Sequence, residues 1–447
     1  MKTKDVFFRN AKFHCTVCDL FISKVKCKFN VRPLIISALL TIVSSALLVQ
    51  CSVGDVVETA ETTGVDPYII DQAISDEAQG NTIAFDGLGF MSGNLGSQTF
   101  LPPGKVADYS GFQYLRDNDP TQLGHNTSFV TIIAFNILHL LTTDQINLFV
   151  SSAREQIDQI NAFGYKRFPL CKAFRRLIEN DLPAGTTGLS QDVIKAYTAE
   201  LYRLDGLICY KRAQLFGKII ASLSEVQRSK LVALKNLKGI GNWDATLSNP
   251  LDGLNLQQDV NVAVMTYASE MYAWYTGTVK SDVYFCPERH GTYFGSFYLK
   301  DWPAMGNPNY TIDETMTANA GQNLLAVLST SQAAQMKGIV DLQRSALAEI
   351  VERRTDISNQ LRKFLVAQTA DSSSVISLSK RYGELDGQLS YYYASNFAQI
   401  FHSLSVEQKA KIIALANDLG YISPNGAFLY SQPIPMPVVI NTDFMFK

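Results

Sequence analysis

The chain has 447 residues, of which 47% are hydrophobic and 18% are charged, and its formal net charge is -2. This much apolar material excludes a disordered chain, and the near-neutral balance argues against nucleic-acid binding, which needs a basic surface. Five histidines and seven scattered cysteines argue against a haem or multi-ligand metal protein, so we predict no cofactor and no resident metal ion.

The N-terminal segment, residues 1–51, has the pattern of a leader for export. Eight cations and two acidic residues precede an apolar run of 16 residues from Leu34 to Val49. A basic flank stays on the cytoplasmic side while the chain behind it is exported. A run of this length fits a signal-peptide core better than a full membrane span, which needs about 20 residues. We therefore expect most of the chain to lie outside the cytoplasm, in a periplasm or at a cell surface.

Two interpretations of the leader stay open. The sequence from Leu48 to Cys51 resembles a bacterial lipobox, in which the cysteine is lipidated and becomes the mature N-terminus, although Gln50 replaces the usual small residue. The alternative is an uncleaved signal anchor. Both interpretations attach the protein to a membrane at its N-terminal end. Residues 52–104 are then predicted to be a tether and a loop.

The rest of the sequence contains two similar segments, residues 105–240 and residues 289–421. Each begins with the pattern Y-x-G-x-x-Y-L-[RK]-D, at Tyr109 and at Tyr293, and each carries the pattern L-[ST]-x-x-Q twice. The order of the matches is kept, and their offset changes only from 187 to 181 residues. The pattern predicts a tandem duplication. Residues 241–288 would be a linker with one helix, and residues 422–447 a proline-containing tail.

The four L-[ST]-x-x-Q motifs are typical of helix starts. A Ser or Thr side chain accepts a hydrogen bond from the first turn, and a Gln three residues later bonds back to the cap backbone. The predicted capping pairs are Thr142 with Gln145, Ser224 with Gln227, Ser329 with Gln332, and Ser405 with Gln408. Apolar residues at helical spacing follow the motifs. We therefore predict an all-α fold made of two tandem helical hairpins, with irregular Gly- and Pro-containing loops.

Two such motifs per unit, a basic arm after the first motif and a long helix leading into the second resemble the Spy/CpxP (LTXXQ) family. The resemblance covers residues 105–240 and 289–421. It implies a periplasmic, helical-hairpin protein of a Gram-negative envelope. It also implies ATP-independent, chaperone-like or stress-related binding of unfolded or partner proteins. Because members of this family often form cradle-shaped dimers, two fused repeats would imitate a dimer inside one chain, and a homo-oligomer is compatible with the pattern.

Two cysteines of the first repeat have serine counterparts in the second. Cys171 corresponds to Ser358 and Cys209 to Ser390. This joint replacement predicts contact between Cys171 and Cys209 and a disulfide bond, which an exported location permits. The alternative is two independent buried thiols.

The arm cations recur in both repeats and are mixed with phenylalanines. They are Arg167, Arg175, Arg176, Arg354, Arg362 and Lys363. One interpretation places them on a concave surface that binds apolar, acidic client segments. The other is a solvated helix face on which the cations bridge nearby carboxylates.

The sequence contains none of the common catalytic motifs, so we predict no enzyme activity and no catalytic residue. The loop from Cys286 to His290 contains three residue types that bind metals, but no second cluster accompanies it. Three function classes remain. The first is a non-catalytic envelope protein that binds protein clients, the second is a structural or assembly subunit of a cell-surface complex or filament, and the third is an enzyme or metal sensor.

Overall fold

Helices account for most of the part of the chain that the computed structural model describes, which confirms the predicted all-α fold class. The described residues are 68–69, 76–92, 128–236, 243–276, 279, 311–312, 315–418, 427–429, 432–434 and 438–447, and all belong to one unit, Gly54–Lys447. The predicted leader with Cys51, both Y-x-G-x-x-Y-L-[RK]-D segments and the Cys286–His290 loop lie outside them. Among the described helices, none combines the length and apolar character that a membrane span requires.

The helices fall into two groups that correspond in order. The first group is α2 (Ser128–Leu140), α3 (Thr143–Glu179), α4 (Gln191–Ser222) and α5 (Glu225–Asn236). The second group is α7 (Thr315–Val327), α8 (Thr330–Lys337), α9 (Ile339–Leu361), α10 (Ser372–Ser403) and α11 (Val406–Asp418). Two further helices, α1 (Asp76–Ser92) and α6 (Gln258–Thr276), precede the two groups. Helices α4 and α10 both have 32 residues, and α2 and α7 both have 13.

The remaining regular structure in the described part is short. Strand β1 (Tyr68–Ile69) pairs antiparallel with β2 (Thr311–Ile312), and β3 (Ala427–Leu429) pairs antiparallel with β4 (Gln432–Ile434). The 3-10 helices are Asp252–Leu254, Arg362–Val366 and Asp443–Met445.

All four capping boxes are present, and in the first group they also bond to one another. The Gln227 side-chain amide donates to the Gln145 side-chain oxygen at 2.7 Å and to the Leu140 carbonyl at 2.8 Å. The Gln145 amide donates to the Ser222 hydroxyl at 3.0 Å. The glutamines therefore close the open end of the α3–α4 hairpin in addition to capping α3 and α5.

The same bonds recur in the second group. The Gln408 amide donates to the Gln332 side-chain oxygen at 2.8 Å and to the Val327 carbonyl at 3.0 Å. The Gln332 amide donates to the Ser403 hydroxyl at 3.0 Å. The L-[ST]-x-x-Q motif thus serves the same two purposes in both groups.

Helices α4 and α10 pack closely against each other, and we call this contact the α4–α10 crossing. A Cβ atom on Gly206 would overlap the Ser379 side chain, and one on Gly387 would overlap the Thr198 side chain. The members of these two contacts are related by the same offset of 181 residues. Gly383 of α10 also lies too close to Thr198 and Tyr202 for a Cβ atom. Only glycine permits such a close approach, so the crossing depends on one glycine of α4 and two of α10.

Helices α1 and α6 are exchanged between the groups. Helix α1 packs on α7 in the second group, whereas α6 packs on α2 and α3 in the first. Ile83, Leu88 and Phe90 of α1 are fully buried or nearly so. The prediction of a tether across residues 52–104 is therefore wrong for α1, which is part of the core. The helix predicted in the linker is present as α6, and most of its described side chains are buried.

Candidate functional site

The arm arginines at corresponding positions hold the exchanged helices in place. Arg175 is only 7% exposed, its guanidinium lies 4.4 Å from the centre of the Phe90 ring, and it donates to the Phe90 carbonyl. Burial lowers the pKa of Arg175 to about 10. Arg362 donates to the Trp274 carbonyl at 3.1 Å and lies 5.9 Å from that ring. Arg175 thereby ties the end of α1 to the first group, and Arg362 ties the end of α6 to the second. In each case this is not the group on which the helix mainly packs.

The predicted client-binding cations do not form one surface. The prediction is wrong for Arg175 and for Arg354, which is buried and donates to the Tyr382 hydroxyl at 3.2 Å. Lys363 bonds within its own arm, to the Gln360 side-chain oxygen at 2.7 Å. The side chain of Arg167 lies outside the described residues. Arg175 and Arg362 recur because each bonds to an exchanged helix, whereas Arg176 and its counterpart Lys363 make different contacts.

The predicted disulfide is not formed, since Cys171 and Cys209 are two buried thiols in the structure. The reason is the register of the α3–α4 hairpin. Lys211 of α4 bonds to Glu155 of α3 at 3.2 Å, which places Cys209 beside that part of α3. Sixteen residues of α3 separate Glu155 from Cys171, or about 24 Å of helix. The alternative interpretation, two independent buried thiols, is the one that the structure shows.

A buried ion pair was not foreseen from the sequence. Arg212 of α4 donates to Glu270 of α6 at 2.6 Å, and the two side chains are 0% and 1% exposed. The Arg212 guanidinium also lies 4.7 Å from the centre of the Tyr267 ring. Burial raises the pKa of Glu270 to about 7, although Arg212 acts in the opposite direction. The pair links the exchanged helix α6 to the first group.

Arg176 anchors the C-terminal tail, whose described final part is residues 438–447. Its guanidinium bonds to Asp181 at 2.9 Å and to Asp443 at 2.7 Å, and it lies 4.9 Å from the centre of the Phe446 ring. The Met445 side chain is fully buried. This part of the tail therefore packs on its own chain.

Backbone hydrogen bonds hold the same segment to the loop between α3 and α4. The Ser190 N–H donates to the Met445 carbonyl at 2.7 Å, and the Lys447 N–H donates to the Gly188 carbonyl at 2.9 Å. An isolated antiparallel bridge joins Leu189 to Phe446. The tail is thus fixed along residues 445–447.

The tail, the end of α3 and the start of α4 enclose a groove of about 820 Å³, which we call the tail groove. Its walls are mostly aromatic and aliphatic. They comprise Tyr165, Lys166, Phe168, Pro169, Val193, Ala196, Tyr197, Glu200, Leu201, Arg203, Val438, Val439, Ile440 and Phe444. Val438 is 99% exposed and Ile440 is 58% exposed, so apolar side chains face solvent at the mouth. Apolar surface of this kind is typical of a binding site.

Tyr197 is one of the wall residues of the groove. Its hydroxyl donates to the Lys166 carbonyl at 2.6 Å, and the Phe444 ring centre lies 6.4 Å from its own. Burial raises the pKa of Tyr197 to about 12, so the phenol stays protonated at physiological pH. Because this hydroxyl is already bonded, Tyr197 offers the groove mainly an apolar ring.

The corresponding surface of the second group is polar. At offsets of 187 residues for the arm and 181 for the long helix, most apolar wall residues are replaced. Glu352, Thr355, Asp356, Ser374, Ser377 and Leu378 stand where the groove has Tyr165, Phe168, Pro169, Val193, Ala196 and Tyr197. Packing common to both groups does not require an apolar surface here, which favours a separate role for the groove.

In the part of the chain that the structure describes, no three acidic, histidine or cysteine side chains are placed to hold a metal ion. Searches of known protein families, of curated proteins and of solved structures found no match for this chain. The resemblance to the Spy/CpxP family therefore rests on its motifs alone.

Sequence reasoning missed the tail groove. Its walls come from three segments, and the tail is more than 200 residues away from α4 in the chain. Tyr197 and Leu201 belong to the apolar residues at helical spacing that follow the first motif, but this spacing predicted helix packing only. One sequence signal could have indicated the groove. Most wall positions are apolar in the first segment, and most of their counterparts in the second segment are polar.

Proposed function

We propose that this protein is a non-catalytic, exported binding protein that holds apolar segments of other proteins in the tail groove. The observation that carries the proposal is the apolar, solvent-open groove of the first group, set against a polar surface at the corresponding place in the second. A volume of about 820 Å³ lies within the range of ligand-binding sites. Aromatic walls add contact area at a low cost in conformational entropy.

The proposal keeps the chaperone-like function that the Spy/CpxP resemblance implies, but it moves the binding surface. Arg175, Arg354 and Arg362 hold the fold together, so they are not offered as client contacts. The basic leader and apolar run support export, with membrane attachment through lipidated Cys51 or through an uncleaved anchor.

A second candidate is an assembly subunit of a cell-surface complex. The fixed tail favours it, because Arg176 and the backbone bonds at residues 445–447 hold one wall of the groove in place. A groove with a fixed wall suits one defined neighbour. The two candidates differ in stoichiometry and in the number of proteins bound.

The test combines light scattering of the purified protein with suppression of aggregation of two unrelated unfolding clients. The chaperone-like function predicts suppression near stoichiometric amounts by a monomer or small oligomer. Tyr165→Asp, which places a charge in the groove wall, should abolish suppression. Val366→Asp changes an equally apolar, 66% exposed residue outside the groove and should leave it unchanged. One discrete large complex without suppression would instead support the assembly subunit.

A further inference from the structure

We infer that the segment bound in the tail groove is an amphipathic α-helix of a partner protein, with acidic residues beside its apolar face. The inference rests on the proposed function and names the partner that fits the same groove. It follows from the hydrogen-bonding capacity of the walls, from the length of the groove and from the charges at its rim.

The walls of the groove offer few hydrogen-bond partners to the backbone of a bound segment. Two walls of the groove are the helices α3 and α4, whose backbone groups bond within each helix except where Pro169 of α3 has no N–H to donate. The Tyr197 hydroxyl is already bonded to the Lys166 carbonyl. An extended segment on these walls would bury N–H and C=O groups without partners, which costs free energy. A helix satisfies its own backbone and needs from the groove only space for apolar side chains.

The length of the groove matches that of a short helix. The wall residues of α4 extend from Val193 to Arg203, which corresponds to about 15 Å along the helix. A partner helix of about ten residues, or about three turns, spans the same distance. Such a helix presents apolar side chains at positions i, i+3 or i+4, and i+7 on one face. The groove volume admits several of these side chains while the helix backbone stays outside.

The rim of the groove carries more cations than carboxylates. At the rim, Glu200 bonds to Arg203 at 2.7 Å and to Lys380 at 3.2 Å, and these two cations lower the pKa of its carboxyl. Lys166 is exposed on the facing wall. Three cations thus accompany one carboxylate, and the rim attracts acidic groups. Because these side chains are about half exposed, the attraction is screened by salt and favours selection between partners over raw affinity.

The experiment measures binding of three fluorescent peptides to the full-length protein by anisotropy. The first is an amphipathic helix with glutamates beside its apolar face. In the second, lysines replace the glutamates. The third keeps the glutamates but carries two prolines that break the helix. We expect the first peptide to bind about tenfold more tightly than the second. The affinity of the first peptide should also exceed that of the third by at least about tenfold. The helical circular dichroism signal of the first peptide should increase on binding.

Charge-reversal variants test the rim directly. Lys166→Glu combined with Arg203→Glu should reverse the preference, so that the lysine peptide binds more tightly than the glutamate peptide. The matched control is Arg353→Glu, because Arg353 is the counterpart of Lys166 in the second group. It should leave the preference unchanged. Circular dichroism of each variant checks that the fold is intact, and single substitutions replace the double one if it is not.

The outcomes separate the inference from the proposed function. Equal binding of all three peptides, or tighter binding of the proline peptide, overturns the helical acidic partner but keeps the groove as a binding site. Binding of anionic lipid vesicles in place of every peptide also overturns it. If no peptide binds while Tyr165→Asp still abolishes suppression of aggregation, the inference fails and the proposed function stands. If no peptide binds and the unmodified protein suppresses nothing, both fail.

Discussion

The arm of the first helical group is one helix, whereas the arm of the second is broken. Helix α3 continues through Pro169 to Glu179, but the corresponding chain is divided into α8, α9 and a 3-10 helix. Both groups nevertheless share the glutamine bonds, the glycine contacts at the α4–α10 crossing and the arm arginines that hold an exchanged helix. These contacts, which maintain the fold, are common to both groups, whereas the apolar groove belongs to one. The difference separates residues that build the molecule from residues available for binding.

The largest effect should come from breaking what the two groups share. Gly387→Leu would force a side chain into the Thr198 side chain at the α4–α10 crossing. We expect a loss of unfolding free energy of about 3 kcal/mol or more, because the neighbouring atoms include backbone. Chemical denaturation followed by circular dichroism measures the loss. In contrast, Gly80→Ala in α1, where an added Cβ meets nothing within 4 Å, should be neutral or slightly stabilising. Similar losses for both variants would show that the crossing is not specially tight.

The exchanged helices α1 and α6 each bury an acidic residue. Glu270 of α6 and Asp86 of α1 are both buried and are related by an offset of 184 residues, as are Trp274 and Phe90. Burial raises the pKa of Glu270 to about 7 from its ordinary 4.5. The folded state therefore holds this proton more tightly than the unfolded chain. Its contribution to stability is complete below pH 4.5 and is lost as the pH rises through about 7.

Glu270→Gln removes this titration. The denaturation midpoint of the unmodified protein should fall relative to that of the variant between pH 4.5 and pH 7.5. The rise in the pKa of Glu270 from 4.5 to about 7 corresponds to a change of about 3 kcal/mol in unfolding free energy. Denaturation of both proteins at several pH values measures it. If the unmodified protein instead gains stability relative to the variant as the pH rises, attraction to Arg212 outweighs the burial of Glu270.

The sequence allowed the helix starts and the all-α class to be predicted, because capping boxes and apolar spacing are local features. Helix α1 was missed for a physical reason. It contains Gly80, Gly87 and Gly89, which lower helix propensity. The sequence of this segment therefore favoured a tether over a helix. In the folded protein Gly87 lies close to Met336 and Phe397, so packing compensates for the low propensity. The pairing of distant segments was not available from local patterns.

Local sequence patterns predicted the candidate binding site less well than they predicted the fold. Recurrence of the arm cations predicted a shared binding surface, yet recurrence between two helical groups also follows from shared packing. Arg175 and Arg362 illustrate this, because each donates to the backbone of an exchanged helix. The groove has the opposite property, since Tyr165 corresponds to Glu352 and Phe168 to Thr355. In this chain, differences between the repeats indicate the candidate site better than similarities do.

The smallest expected effect concerns the end of each arm. Asn180 and Ala367, related by the arm offset of 187 residues, both have left-handed backbone conformations, with φ of 61° and 57°. Asparagine tolerates this conformation, whereas alanine is strained by its Cβ. Ala367→Gly should therefore raise the unfolding free energy by up to about 1 kcal/mol, and Asn180→Ala should lower it by a similar amount. Denaturation midpoints of both variants test the pair. Opposite signs would show that the two arms end in the same backbone geometry with unequal strain. Destabilisation by Ala367→Gly would instead mean that the Ala367 methyl group adds more stability by packing than it costs in strain.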